Sequence, residues 1–547
     1  MNADRIVLTG FSGTGKSTVA STLARELGWT AIDTDQDIER WAGKSVPEIF
    51  TVEGEARFRE IERTVLLQSL DRSNVVIATG GGAVIAEDAW SETVLSRAGT
   101  IVITLDADPD VLLERLRIQQ SIDGETVERP LLAGSDQYAR VIAMMRTRQA
   151  TYDRADLTII TDRLSSDQVS SAIANLVRPS SAPDVKLDAA SGSSDIYVRP
   201  GIAAELGSRA RQQWPVARRA WVITDANIGR LHADGVKHSL LDASFDVRIV
   251  TVPSGETSKS WEVAGNVIGD LLSGGIQRND LVIALGGGVV GDLAGFAAAV
   301  TLRGVGVVQV PTSLLAMVDS SVGGKTGINH PVGKNLIGAF YQPPLVLVDP
   351  RFLSTLPARE LMQSWAEMVK HAIIQPSTPD PQKDDLIRLM KRNSTALRTV
   401  DGLAMTHLIR RNIALKACVV EADERESSLR AILNYGHTIG HAIEAADYRY
   451  LHGEAIAVGM HAANRIAQLT GRIDSVRESG LNALITSFGL PATAAFDTGV
   501  VRERMKSDKK NTGGKQTWVL PSHEGGVQLI RDIDEAIVDT ALTGIHE

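Results

Sequence analysis

At 547 residues, with 43% hydrophobic residues, a net charge of −9 and one cysteine, the chain is too long for a single core and should divide into three or four domains of about 100–200 residues. The acidic balance argues against nucleic acid as the main partner, because gripping a phosphate backbone requires a basic footprint. Cys418 has no second cysteine to pair with, which excludes an intramolecular disulfide. With no run of about 18 apolar residues and no apolar leader before the first strand, the expectation is a cytoplasmic protein with no membrane partner.

Residues 5–9, Arg-Ile-Val-Leu-Thr, read as a short apolar strand. It runs into Gly-Phe-Ser-Gly-Thr-Gly-Lys-Ser at 10–17, which fits G-x-x-x-x-G-K-[ST] at every fixed position, and an amphipathic helix pattern covers 19–27. Strand, loop and helix in this order are the context that gives the motif meaning. Backbone N–H groups around Gly13, Gly15 and Thr18 would cradle the phosphates of ATP, with Lys16 on the β/γ-phosphates and Ser17 on Mg2+. A glycine turn of purely structural purpose is the competing account.

Asp33-Thr-Asp35 follows a second apolar stretch and so falls at the end of a strand, which in an α/β sheet faces the ligand crevice. Either aspartate could cap a helix instead, and Asp37 is the more plausible cap. A third buried strand, Val-Val-Ile-Ala-Thr at 75–79, ends in three glycines at 80–82, more than a mere turn requires. These motifs, together with Phe58-Arg59, Arg129-Pro-Leu-Leu132 and Arg148-x-x-x-Tyr152, resemble shikimate kinase across almost the whole segment. The resemblance implies that Asp35, Arg59, Gly81 and Arg148 hold shikimate, with the two arginines on its carboxylate. Arg129 would sit in a lid over the phosphates, and Asp33 near Mg2+ and the reacting hydroxyl. The stretch 117–128 is longer than expected for that lid and is read as mobile.

Pro, Ser, Gly and Ala dominate from 178 to 195, so 177–195 is expected to be a flexible linker after a kinase domain at 1–176. Beyond it, residues 220–227 and 281–292 read as buried strands opening into polar or glycine-rich turns. Gly286-x-Gly288-x-x-Gly291 has dinucleotide spacing but lacks a clear acidic partner about 20 residues on, so alone it is a weak signal. The run 311–335 interleaves small residues with Lys325, Lys334 and Asn335, which supply donors for anionic oxygens. A Pro-rich run at 375–381 is expected to be an exposed loop.

From residue 356 the pattern turns helical and holds the densest chemistry. His437 and His441 are four apart, on one face of a helix, and His452 follows. Each has a glycine neighbour. Three neutral imidazoles with a carboxylate, for which Glu367 is favoured, suit Zn2+ or a related ion with a coordination position left open. Histidines hydrogen-bonded inside a helical domain are the bland alternative, but they leave the spacing and the glycines unexplained.

Together these motifs resemble 3-dehydroquinate synthase over essentially everything after the linker. The resemblance implies metal ligands Glu367, His437 and His452, for Zn2+ or Co2+. It implies that NAD+ is held by Asp225, Asn227, Glu256, Lys259, Gly287, Gly288, Asp292, Thr312, Ser313, Asp319 and Lys334. Arg303, Lys325, Asn335, Lys370, Lys416, Glu426, Arg430, Asn434, His441 and Lys510 would surround the substrate and its phosphate. Hydride would pass to NAD+, phosphate would leave by β-elimination, and NADH would return the hydride before aldol closure. Lys325, Arg430 and Lys510 would clamp charge and His441 would shuttle a proton. Glu426 also stands among the implied catalytic groups. A polyol dehydrogenase of the same superfamily, with His441 as a fourth ligand, is the rival, but the Gly-Gly-Lys-Thr-Gly and Asp-Lys-Lys-Asn segments suit a phosphate grip.

The expected architecture is therefore α/β: a P-loop kinase with a lid at 1–176, a Rossmann-like NAD domain at 196–355, and a mainly α-helical metal and substrate domain at 356–547. The implied function is a bifunctional shikimate-pathway enzyme acting on small molecules, homodimeric through the synthase half. A second rival is that one half has become a non-catalytic binding module, but Lys16, Asp35, Arg59 and Arg148 are all present.

Overall fold

The computed structural model describes residues 3–123, 136–382, 384–400, 402–446, 449–511 and 516–547. Two compact units are distinguished: Met1–Ser181 with Gln382–Leu408, and Ala182–Pro381 with Ile409–Glu547.

In the first unit, β1 (Arg5–Gly10), β2 (Thr30–Asp33), β3 (Val75–Ala78), β4 (Thr100–Asp106) and β5 (Leu157–Ile160) form one sheet. Its order is β2-β3-β1-β4-β5, parallel throughout. Parallel neighbours need crossovers, supplied by helices such as Lys16–Leu27 and Gly54–Leu70, and a sheet covered on both faces explains why β1 and β3 are buried along their whole length. From β1 the chain goes to β2 and β3 on one side and β4 and β5 on the other, so the loop after β1 opens where the strand order reverses. Gly10 ends β1 at φ 134°, and a Cβ there would lie 2.2 Å from the Leu105 carbonyl oxygen, so only glycine permits this exit.

The second unit is built on β6 (Val185–Ala189), β7 (Gly192–Val198), β8 (Arg219–Asp225), β9 (Asp246–Val252), β10 (Leu281–Gly286) and β11 (Gly306–Pro311). The hairpin of β12 (Lys325–His330) and β13 (Gly333–Phe340) precedes β14 (Leu345–Val348). The large sheet runs β6-β7-β14-β11-β10-β8-β9, parallel except for the β6/β7 pair.

Three expectations change here. The stretch expected as a flexible linker at 177–195 contains ordered sheet: β6 and the start of β7 pair antiparallel, with Leu187 and Ser194 buried. Ser191, Gly192 and Ser193 fall at the exposed hairpin turn, where composition mimics a linker. Residues 382–408, expected inside the helical metal domain, belong to the first unit. The Pro-rich run is exposed at Pro376, Pro379 and Pro381, as expected, but it is tied down, since the Ser377 hydroxyl donates to the Val527 carbonyl and accepts the Val527 N–H, each at 2.8 Å.

Helix His452–Leu469 is buried at almost every position from Gly453 to Ala467, as expected for a helix apolar all round. Helices Ala358–Ile374, His437–Ala446, Ser475–Ser487 and Glu535–Ile545 pack against it. A Cβ at Gly459 would fall 2.0 Å from the Gly436 carbonyl oxygen and 2.7 Å from the Gly440 nitrogen. The helices bearing His437 and His452 thus cross with their backbones in contact. Gly459→Val should lower the unfolding temperature of the second unit in calorimetry, an overpacking cost of about 1–3 kcal/mol or more, while the first unit's transition stays in place.

Candidate active sites

In the first unit, Lys16 starts the helix after the glycine loop, and its ammonium donates to the carbonyls of Gly10 at 2.9 Å and Phe11 at 3.0 Å. Ser17 is exposed in the first helical turn. Asp33, rather than the expected Asp37, caps helix Thr34–Ala42, its Oδ1 accepting the Asp35 N–H at 3.0 Å and the Gln36 N–H at 3.4 Å, and Asp37 falls inside the first turn. The glycines after β3 gather the rest. A Cβ at Gly80 would lie 2.9 Å from Asp35 Oδ1, and one at Gly82 would lie 2.3 Å from an Arg59 nitrogen. Arg148 donates to the Gly81 carbonyl at 3.1 Å, and so does the Tyr152 hydroxyl at 2.7 Å. Asp35, Arg59, Gly81 and Arg148 therefore converge. Arg129 lies outside the described residues, as do the rest of 124–135 and the side chain of Lys510, whereas 117–123 of the stretch read as mobile continue helix Pro109–Asp123.

Glu62 was not foreseen. It is buried one helical turn after Arg59 and accepts its guanidinium at 2.6 Å. Burial raises its carboxyl pKa, opposed by Arg59. The spacing of an acid three residues beyond a site arginine was the available signal.

In the second unit, Glu367, His437 and His452 bring one ligand atom each within 4.8 Å of one another. Both His437 Nε2 and His452 Nε2 stand 3.6 Å from Glu367 Oε1. His437 Nδ1 faces the Tyr435 carbonyl at 3.1 Å, which turns Nε2 inward. Glu367 is wholly buried, and among the described residues neither carboxylate oxygen has a hydrogen-bond partner, although Lys370 forms an ion pair with Oε2. Burial alone would raise the Glu367 pKa, but Lys370 and the imidazoles hold it well below the usual carboxylate range. For His452, burial is overcome by Glu367 and Glu444, which raise the imidazole to about 10. An ionised carboxylate whose Oε1 faces two inward imidazoles fits a divalent cation of the Zn2+ type. The His441 ring is 4.9 Å from His437 and 5.8 Å from His452, but His441 is exposed and outside this three-ligand group. Glu444 is the residue the ligand assignment missed: it holds His452 Nδ1 at 3.3 Å and Lys334 at 2.8 Å.

Around the cluster, cations arrive already paired. Lys416 pairs with Asp319 at 2.6 Å, and Lys325 with Glu426, which also accepts from Asn434 at 2.5 Å. Arg430 donates to the Glu424 and Gly323 carbonyls. Lys259 bridges Asp292 and Asn335 at 2.6 Å each, and Glu256 accepts from Asn329 at 2.7 Å. Lys334, expected on NAD+, is thus next to the metal ligands, through Glu444. At the sheet end, Asp225 caps helix Ala226–Asp242 on the N–H groups of Asn227 and Ile228. Gly287 and Gly288 open helix Gly288–Val300, whose N-terminus has no side-chain cap and lies beside Thr312 and Ser313. Uncapped N–H groups behind a glycine turn fit a dinucleotide phosphate. Arg303 is exposed, with φ 66°, and has no described contact with the cluster.

Residues 12–178 match the family model for shikimate kinase, 249–363 that for the 3-dehydroquinate synthase N-terminal region and 364–511 that for its C-terminal region. The 3-dehydroquinate synthase of Symbiobacterium thermophilum is 43% identical over 355 residues, covering 64% of this chain and 97% of that protein. The chain belongs to the 3-dehydroquinate synthase family. Its first unit carries a shikimate kinase domain, so the protein is an enzyme with a kinase half and a lyase half. Two solved structures share the fold of the synthase half. The 2-epi-5-epi-valiolone synthase of Streptomyces hygroscopicus, with NAD+ and Zn2+ bound, is 25% identical with a TM-score of 0.58, covering 64% of this chain and 96% of that one. A 2-deoxy-scyllo-inosose synthase complexed with carbaglucose-6-phosphate, NAD+ and Co2+ is 26% identical with a TM-score of 0.58, covering 66% and 99%.

The loop that carries Glu426 and Arg430 in the synthase half hangs on Asp423. Its carboxylate accepts N–H groups from Ser427 at 2.9 Å, Ser428 at 2.7 Å and Arg430 at 3.0 Å. Desolvation opposes ionisation, but these donors hold the Asp423 pKa well below the carboxylate range. The contribution is therefore complete above the ordinary carboxylate pKa and is lost only as pH falls toward the depressed value, so the loop stays anchored in mildly acidic solution. Asp423→Ala should leave a folded protein whose synthase kcat/KM is lower by roughly tenfold or more, measured by phosphate release.

Proposed function

We propose that the kinase half transfers phosphate from ATP to shikimate, giving shikimate 3-phosphate. The synthase half converts 3-deoxy-D-arabino-heptulosonate 7-phosphate to 3-dehydroquinate and phosphate, using NAD+ and Zn2+ or Co2+. Both reactions belong to aromatic amino acid biosynthesis, but they are not consecutive, so the fusion has no channelling chemistry to serve. The observation that carries the reading is the buried Glu367, His437 and His452 cluster beside paired cations suited to a phosphate.

In the kinase half, loop N–H groups from Gly13 to Thr18 and the Lys16 ammonium bind the nucleotide phosphates, and Ser17 offers its hydroxyl to Mg2+. Arg59, aligned by Glu62, and Arg148 hold the shikimate carboxylate, while Asp35 and Gly81 orient the ring. Asp33 lies near the reacting hydroxyl, and Arg129 covers the phosphates.

In the synthase half, Glu367, His437 and His452 would hold a divalent cation, which would supply Lewis acidity toward a substrate hydroxyl, and bound NAD+ would supply a hydride acceptor. Lys370 keeps Glu367 ionised, and Glu444, steadied by Lys334, orients His452. Asp225, Asn227, Glu256, Lys259, Gly287, Gly288, Asp292, Thr312, Ser313 and Asp319 line the dinucleotide path. Lys325, Lys416, Arg430, Asn335, Asn434 and Lys510 hold the substrate's anionic groups, and exposed His441 moves a proton near the leaving phosphate. A polyol dehydrogenase would have no use for this grip.

No helix among the described residues is long and apolar enough to cross a membrane. The reading includes a cytoplasmic location and a homodimer through the synthase half, which sedimentation of the full chain checks.

With trace NAD+ and Zn2+, the full chain should release phosphate far in excess of the NAD+ supplied, without net NADH absorbance. NADH growing in step with product would instead establish a dehydrogenase. Glu367→Gln should lose bound Zn2+ by elemental analysis and cut synthase turnover by about 100-fold or more, while shikimate phosphorylation continues at the parent rate.

A further inference from the structure

Helix Leu386–Arg392 lies in the stretch that matches the synthase C-terminal region, yet it packs within the kinase unit, against the edge strand β5. Asn393, 3% exposed, closes that edge. Its amide oxygen accepts the Thr158 N–H at 2.7 Å and its amide nitrogen donates to the Thr158 carbonyl at 2.9 Å, as a neighbouring strand would.

One helical turn earlier, Arg388 donates to Asp106 at 2.9 Å and to Asp162 at 2.7 Å, and pairs with Asp108 at 2.7 Å. Arg392 adds a bond to Asp106 at 2.9 Å. Three carboxylates at the carboxyl ends of β4 and β5 would repel one another without these guanidiniums. The ends they hold lead straight to the phosphate loop. Ala107, between two of the clamped aspartates, packs in one apolar cluster with Phe11, Leu112 and Leu116. A Cβ at Gly13 would meet Leu116 at 3.2 Å. Arg115, on the same helix as Leu112 and Leu116, donates to the Thr161 carbonyl at 2.6 Å, and the Asp108 N–H reaches Asp162 at 2.7 Å.

We infer that Arg388, although carried by synthase sequence, is a positioning residue for the nucleotide site of the kinase. It sets the turns at 106–108 and 161–162, which seat helix Pro109–Asp123 against the phosphate loop. The inference rests on the proposed binding of ATP at that loop. It also means that a kinase fragment cut at the connector after Ser181 lacks a group that positions its nucleotide site.

The test uses the full chain with Arg388→Ala and Arg388→Lys, assayed for both activities. A positioning role predicts that R388A raises KM for ATP roughly tenfold, with kcat and KM for shikimate within about twofold of the parent and the synthase rate unchanged. R388K should fall between, because a lysine keeps the charge but cannot fork to several carboxylates. If R388A cannot be recovered folded, R388K alone must show the same selective rise. Unchanged KM for ATP overturns the inference. So does a uniform loss in kcat and both KM values with a lowered kinase unfolding temperature, which marks a purely structural brace. A parent chain that does not phosphorylate shikimate at all would instead remove the kinase reading itself.

Discussion

A carboxylate sealed from water is the constraint that organises the synthase half. Glu367 is wholly buried, and an isolated charge there would be intolerable. Its neighbours answer that demand: Lys370 one turn further along its helix, and imidazoles from two other helices. For three helices to deliver groups to one carboxylate, their backbones must come unusually close. The crossing at Gly436, Gly440 and Gly459 is the physical consequence. Site chemistry and packing are thus linked here, since a larger residue at the crossing would push apart the helices that carry His437 and His452.

The second theme is charge held ready. The chain is acidic overall, yet the substrate region of the synthase half gathers Lys325, Lys416 and Arg430, each bound to a carboxylate or carbonyl. Cations oriented in advance need little reorganisation when an anionic group arrives, which is where electrostatic catalysis gains most. Net charge describes solubility and long-range steering. It is silent about such local arrangements.

The kinase half shows a related economy of parts. An open parallel sheet leaves an unpaired edge at β5, and the molecule covers it with Asn393, from a segment remote in sequence. The same segment supplies the guanidiniums that neutralise three gathered aspartates. The connector after helix Ser166–Val177 is therefore not the whole boundary between the two units. Chain order and structural membership diverge at 382–408.

Much was legible beforehand where chemistry is local in sequence. The phosphate loop, the strand-end aspartates and the His437, His441 and His452 run declare themselves because their residues lie within a turn or a loop of one another. Convergence of Asp35, Arg59 and Arg148 on the Gly80 to Gly82 turn was legible only through the family pattern, since nothing local links them. Composition misled at 177–195: serine and glycine at an exposed hairpin turn resemble a linker, and the burial of Leu187 and Ile196 depends on β14, some 150 residues away. Tertiary structure alone decided that Lys334 serves Glu444, that Glu62 aligns Arg59 and that Arg388 belongs to the kinase unit. The sequence determined which groups exist and which share a strand end or a helix face. Only folding decided which charge balances which, because a buried ion takes its partner from whatever the packed elements bring within a few ångströms, irrespective of distance along the chain.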